Sequence, residues 1–210
     1  MDRPILFSAP MVRALLAGRK SQTRRIAKFI EAIDDGEFHI HNAGGGLYGV
    51  SEADVPADAV DYAPISIGDR LWVREAYSGP HRMGDIPPRH WRDDLPIWFW
   101  ADGNPEYGDW TKPKPGIHMP RWASRLTLTV TDVRVQRLGD ISETDAKAEG
   151  VDPIVDHGVG TTALHTIAFQ QLWDRLHGEG ATYANPWVAA YTFTVERRNI
   201  DALPSGADHG

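Results

Sequence analysis

Residues 125 to 137 read Arg125-Leu126-Thr127-Leu128-Thr129-Val130-Thr131-Asp132-Val133-Arg134-Val135-Gln136-Arg137. Leu126, Leu128 and Val130 alternate with Thr127, Thr129 and Thr131, the period of two that buries one face of a strand. The segment is expected to be long and half-buried. Upstream, the turn Ile67-Gly68-Asp69-Arg70 leads into residues 71 to 77, where Leu71, Val73 and Glu75 alternate with Trp72, Arg74 and Ala76. That pattern predicts a second strand, and residues 187 to 195, after Asn185-Pro186, predict a last one.

Short helices fall between these strands. Ser8-Ala9-Pro10 is a helix start, Val12, Leu15 and Leu16 form one apolar face, and Gly18 is the stop. Ser142-Glu143-Thr144-Asp145 opens another, with a serine cap, an acidic first turn and Gly150 as its end. Residues 162 to 177 predict a third, with Leu164, Ile167, Ala168, Leu172 and Leu176 facing the core. Residues 31 to 64, with Gly44-Gly45-Gly46 at their centre, read as loop with a short hairpin at most. Residues 78 to 120 are rich in Pro, Gly and Asp and carry Trp91, Trp98, Trp100 and Trp110; only residues 97 to 101 resemble a strand. This stretch is expected to be an insertion whose Trp side chains fill a small core of their own or form a base-stacking lid. The order of elements differs from βαβ alternation and predicts an α+β fold. One domain is expected over residues 1 to 200, with a flexible tail at 201 to 210.

Composition narrows the function classes. With 41% hydrophobic and 24% charged residues the chain is globular in type. It has no Cys, which excludes disulfides, thiolate metal sites and Cys nucleophiles. No apolar run reaches membrane-spanning length and no secretory pattern opens the chain, so a cytoplasmic location with no membrane partner is expected. The formal charge of −7 argues against broad, sequence-independent phosphate binding.

Against that acidic balance, residues 3 to 28 hold Arg3, Arg13, Arg19, Lys20, Arg24, Arg25 and Lys28 and no acidic residue. Gly18-Arg19-Lys20-Ser21-Gln22-Thr23-Arg24-Arg25 gathers an amine, two hydroxyls and several guanidinium groups. With a helix stop at Gly18, Lys20 belongs to a turn, and Thr23 and Arg25 share a face of the following strand. Crowding by Arg19, Arg24 and Arg25 would lower the Lys20 pKa and let its amine activate Thr23, the pairing of base and hydroxyl used in acyl transfer. The alternative is a solvated basic turn in which Thr23 only supports a strand.

The pattern Gly18-x-Lys20-x-x-Thr23-x-Arg25 resembles the signature of the ASCH family, a branch of the PUA-like β-barrel superfamily. The usual family pattern has Glu where Thr23 stands; the family's N4-acetylcytidine amidohydrolases carry Thr there. The resemblance extends to Gly68-Asp69 before a strand, the strand at 125 to 137, the helix ending at Gly150 and the last strand. It implies a mixed β-barrel with short flanking helices, and an amidohydrolase that removes an acyl group from N4-acylated cytidine or a related modified pyrimidine nucleoside, without a cofactor. Lys20 and Thr23 would be catalytic, and the family's catalytic Glu matches Glu149 in Asp145-Ala146-Lys147-Ala148-Glu149-Gly150. Arg24 and Arg25 would bind substrate, with Arg25 on the oxyanion or on a ribose or phosphate oxygen.

A second constellation lies in residues 72 to 77. Glu75 could accept from the amino edge of cytosine, with Arg74 beside it and Trp72 or Tyr77 stacking on the base; the alternative is a plain ion pair, and Glu75 competes with Glu149 as catalytic acid. Among nine His, neither His39-x-His41 nor the set His157, His165 and His177 has ligand spacing with carboxylate support, and no metal is expected. The expected partner is a small modified nucleoside, with RNA as a second candidate, and the protein would be a monomer or small homo-oligomer. The other readings are a PUA-like RNA-binding module, a metal-independent ribonuclease, and an accessory protein like the ASCH proteins of phages and prophages.

Overall fold

The structure, a computed structural model, describes residues 1–33, 36–156 and 162–202. Its strands are β1 (Asp2–Leu6), β2 (Gln22–Ile26), β3 (Ile30–Ala32), β4 (Phe38–Asn42), β5 (Gly45–Val50), β6 (Arg70–Arg74), β7 (Tyr77–Ser78), β8 (Trp98–Phe99), β9 (Thr127–Arg137), β10 (Ile154–Asp156), β11 (Thr162–Leu164) and β12 (Trp187–Glu196). The α-helices are α1 (Ala9–Leu16), α2 (Val55–Asp58), α3 (Glu143–Ala148) and α4 (His165–His177). The fold is therefore mixed α+β. No described helix is long and apolar enough to cross a membrane.

The main sheet has the order β1-β6-β9-β12-β2. This corrects the expected closed barrel, because the order is linear and no described pairing joins β1 to β2. Pro4 stands in the middle of β1, opposite Trp72 of β6. A proline brings no N–H to a ladder, so a five-residue strand built around one suits a sheet edge.

By internal contacts the chain forms two compact units. Of the described residues, one comprises 1–18, 69–129 and 194–202, and the other those within 19–68 and 130–193. In the first, β1 runs parallel to β6, and β6 pairs antiparallel with the start of β9. The strand expected over 71 to 77 stops at Arg74. Gly116 packs so closely on Glu75 that an added Cβ would stand 3.0 Å from its carbonyl oxygen, and Tyr77 exchanges backbone hydrogen bonds with Lys114. The chain after Arg74 is thus taken from the sheet by the 78 to 120 stretch. That stretch packs around Tyr77, Trp91, Met119 and Ala123, with Trp91 5% exposed. Its expected strand is only the two residues of β8, paired with β7.

In the second unit, β2 pairs antiparallel with β12, and β9 carries Val135 into the core. Residues 31 to 64, expected as loop with a short hairpin at most, hold the β4-β5 hairpin and beyond it most of the three-stranded sheet β3-β4-β5 together with α2. Phe38, Ile40, Val50, Val55 and Ala59 are buried with Ala27, Val135 and Trp187. The glycines that suggested a loop are what admit β5: a Cβ on Gly46 would stand 2.7 Å from His39 Nε2 and 2.8 Å from the Ile40 carbonyl oxygen. Helix α3 is capped as expected, the Ser142 hydroxyl accepting from the Asp145 N–H, and Gly150 follows with φ +79°. The helix expected from 162 begins at His165, after β11. Its buried face is Ala168, Phe169 and Trp173, while Ile167 and Leu176 are exposed. The two aromatics, four apart, offer more apolar area than the aliphatic stripe and take the contact with Leu138, Ile141, Ala146 and Val188. His157 and the tail from residue 203 lie outside the described residues.

Candidate active site

Gly18, with φ +69°, ends α1, and Lys20 follows as an isolated antiparallel bridge to Glu149 just before β2. Ser21 donates its N–H to the Ala148 carbonyl at 2.9 Å, holding this turn against the end of α3. Glu149 comes directly after α3, where helix carbonyls have no partner within the helix. The Lys20 amine is directed there.

Lys20 and Glu149 are 1% and 4% exposed. Lys20 Nζ donates to Glu149 Oε2 at 2.9 Å, to the Glu149 carbonyl at 2.9 Å and to the Gln22 carbonyl at 2.7 Å. Three acceptors match the three hydrogens an ammonium group can donate. Arg24 Nη1 donates to Glu149 Oε1 at 2.9 Å and to Gln22 Oε1 at 2.6 Å. Gln22 in turn donates to Thr192 Oγ1 and Asp145 Oδ1, and Asp145 also accepts from Arg134. Burial lowers the Lys20 pKa, the Glu149 carboxylate opposes that shift, and Arg25 and Arg24 add smaller decreases. The sequence assigned the decrease to the guanidinium groups; desolvation does more.

Thr23 and Arg25 share a face of β2, as expected, and Arg25 Nη1 donates to Thr23 Oγ1 at 3.0 Å. A cation on the hydroxyl oxygen leaves its proton free and stabilises an alkoxide. Thr23 is 1% exposed, and its partner across the ladder is Tyr191, equally buried. The structure joins Lys20, Arg24 and Glu149 in one hydrogen-bonded cluster and adds Gln22 and Asp145 to it, whereas Thr23 and Arg25, on the other face of β2, bond to each other, with Tyr191 across the ladder from Thr23. Sequence reading missed Gln22, Asp145 and Tyr191. Gln22 lies inside the motif, and its alternation with Arg24 was a usable signal; Tyr191 becomes visible only through strand register.

The second constellation belongs to the other unit. Glu75 is 1% exposed and accepts both arms of Arg125, Nε to Oε1 at 2.9 Å and Nη2 to Oε2 at 3.0 Å. Arg125 also holds Asp102 and lies over the Phe99 ring, 4.1 Å from its centroid. Burial raises the Glu75 pKa against the pull of Arg125. Arg74 covers the Trp72 ring at 4.5 Å, and Tyr77, fully buried, donates to the His118 carbonyl. In the same unit an open cavity of about 640 Å³ is lined by His81, Asp85, Trp110, Lys112, Lys114 and His118. Its lysines and histidines suit an anionic ligand.

Sequence reading found no carboxylate for His39 and His41, and this is corrected: Glu31 stands with them. His165 accompanies Glu143, which accepts from the His165 and Thr166 N–H groups and so caps α4. No protein-family model, curated protein or solved structure matches the chain.

Proposed function

We propose that the chain is an ASCH-like, PUA-like amidohydrolase acting on N4-acylated cytidine or a related modified pyrimidine nucleoside. One observation carries this reading: a buried Lys20 amine with a lowered pKa lies 2.9 Å from the Glu149 carboxylate, three residues before a threonine whose oxygen is held by Arg25. In this route the Lys20–Glu149 ion pair exchanges its proton, leaving a neutral amine beside a neutral acid. The amine then takes the Thr23 hydroxyl proton. Thr23 Oγ1 bonds to the acyl carbon, the carbon–N4 bond breaks, and the nitrogen leaves as the amino group of cytidine with a proton supplied by Glu149. Water cleaves the resulting ester, restoring the hydroxyl and releasing the carboxylic acid. No step of this route uses a cofactor.

A nucleic-acid-binding module is the second reading. It is favoured by the saturation of the Lys20 ammonium, since three filled hydrogen bonds also describe a purely structural lysine. The deciding experiment incubates the protein with N4-acetylcytidine and with a short RNA, following cytidine release and strand scission, with Lys20→Ala alongside. Release that disappears in Lys20→Ala supports the hydrolase. Scission alone points to a ribonuclease, and neither product points to binding.

A further inference from the structure

We propose that Glu31, His39 and His41 form a binding site for a divalent cation of the zinc class. The three residues sit on two neighbouring strands. Glu31 of β3 is directly opposite His39 of β4, and His41, two residues on, projects from the same face. One ring nitrogen from each histidine and one carboxylate oxygen lie within 4.8 Å of one another. Zinc holds nitrogen and oxygen ligands at about 2.0–2.2 Å, so a rotation of the exposed Glu31 side chain closes the set around a cation.

The pairwise geometry fits ligands better than an ion pair. His41 Nε2 is buried and makes no hydrogen bond, although Glu31 Oε1 is only 3.3 Å away. A buried ring nitrogen without a hydrogen bond is costly, and a metal would satisfy it. The imidazoles are held in place before any ion arrives: His39 stacks on Tyr48 at 3.7 Å and on His41 at 4.7 Å, and Gly46 leaves room against His39 Nε2 that a Cβ would fill. Two imidazoles and a carboxylate suit zinc, iron(II), cobalt(II) or nickel(II) more than calcium or magnesium. Three protein ligands leave coordination positions for water or an added ligand. The site joins β3 to β4, so the cation stabilises the folded protein by binding.

The test uses untagged protein and zinc chloride, reading affinity by competition with a chromophoric chelator and melting temperature with and without zinc. The wild type is expected to take a single zinc and to melt higher with it. Glu31→Gln and His41→Ala are expected to weaken zinc by at least about tenfold, whereas His90→Ala leaves it unchanged. Glu31 is exposed, so its variant keeps the fold, which circular dichroism verifies. A wild type that takes no zinc at micromolar concentration overturns the proposal, as does undiminished affinity in His41→Ala.

Discussion

Lys20 and Glu149, 129 residues apart in sequence, meet at 2.9 Å with both side chains buried. Glu149 offers its other oxygen to Arg24, so one carboxylate answers two buried cations. Removing its charge takes that carboxylate from both, although Arg24 keeps Asp145 at 3.3 Å.

Glu149→Gln is therefore expected to destabilise the protein by about 3–5 kcal/mol, whatever its effect on turnover. Adding Lys20→Met recovers part of the loss, because one stranded charge disappears with its partner. Denaturant unfolding of the two single variants and the double variant gives the coupling. Additive losses would show that the two side chains do not interact.

Thr23→Ala is expected to abolish cytidine release while nucleoside affinity stays within about tenfold, or 1.4 kcal/mol. Thr23→Ser keeps the hydroxyl that Arg25 holds and retains turnover. Release measured beside equilibrium binding separates the nucleophile from a packing residue, and a Thr23→Ala enzyme that still turns over rules the nucleophile out.

Glu143 accepts the first N–H groups of α4, and those hydrogen bonds pull its pKa from 4.5 to about 2. A carboxylate with a depressed folded-state pKa contributes stability that is complete above 4.5 and lost as pH falls toward about 2. Glu143→Gln should flatten the loss of stability over that window. Unfolding free energies taken at successive pH values check it, with identical slopes counting against the cap.

Gly79 lies against Trp91, where an added Cβ would stand 2.4 Å from Cζ3 and 2.7 Å from Cη2. Gly79→Ala is expected to cost about 1–3 kcal/mol by overpacking. Loss of the tryptophan near-ultraviolet dichroism together with a lower melting temperature would locate the strain at Trp91. An unshifted melting temperature would mean the indole moves aside freely.

The strand at 125 to 137 could be read directly, because it buries one face and the period of two records it; residues 187 to 195 could be read as a run of apolar and aromatic residues, and β12 is buried on both faces from Trp187 to Tyr191. The capped helix ending at Gly150 could be read as well, since the cap residues act locally. The sheet β3-β4-β5 could not: Phe38 and Ile40 are two apolar residues among glycines, and their burial depends on Val135 and Trp187 far along the chain. The same holds at the candidate sites. Lys20, Thr23 and Arg25 sit within six residues, whereas the Glu31 carboxylate reaches His39 only through strand pairing. The face of α4 was misjudged because aliphatic spacing was weighed above the bulk of Phe169 and Trp173.

Pro80, Pro87, Pro115 and Pro120 each start a one-turn helix, and each proline carbonyl accepts the N–H three residues later, at 2.8 to 3.1 Å. Fixed φ angles at these four corners reduce the freedom the unfolded segment has to surrender. A region almost without regular ladders thereby gives up less conformational entropy on folding, which lets its small core around Trp91 hold it in shape.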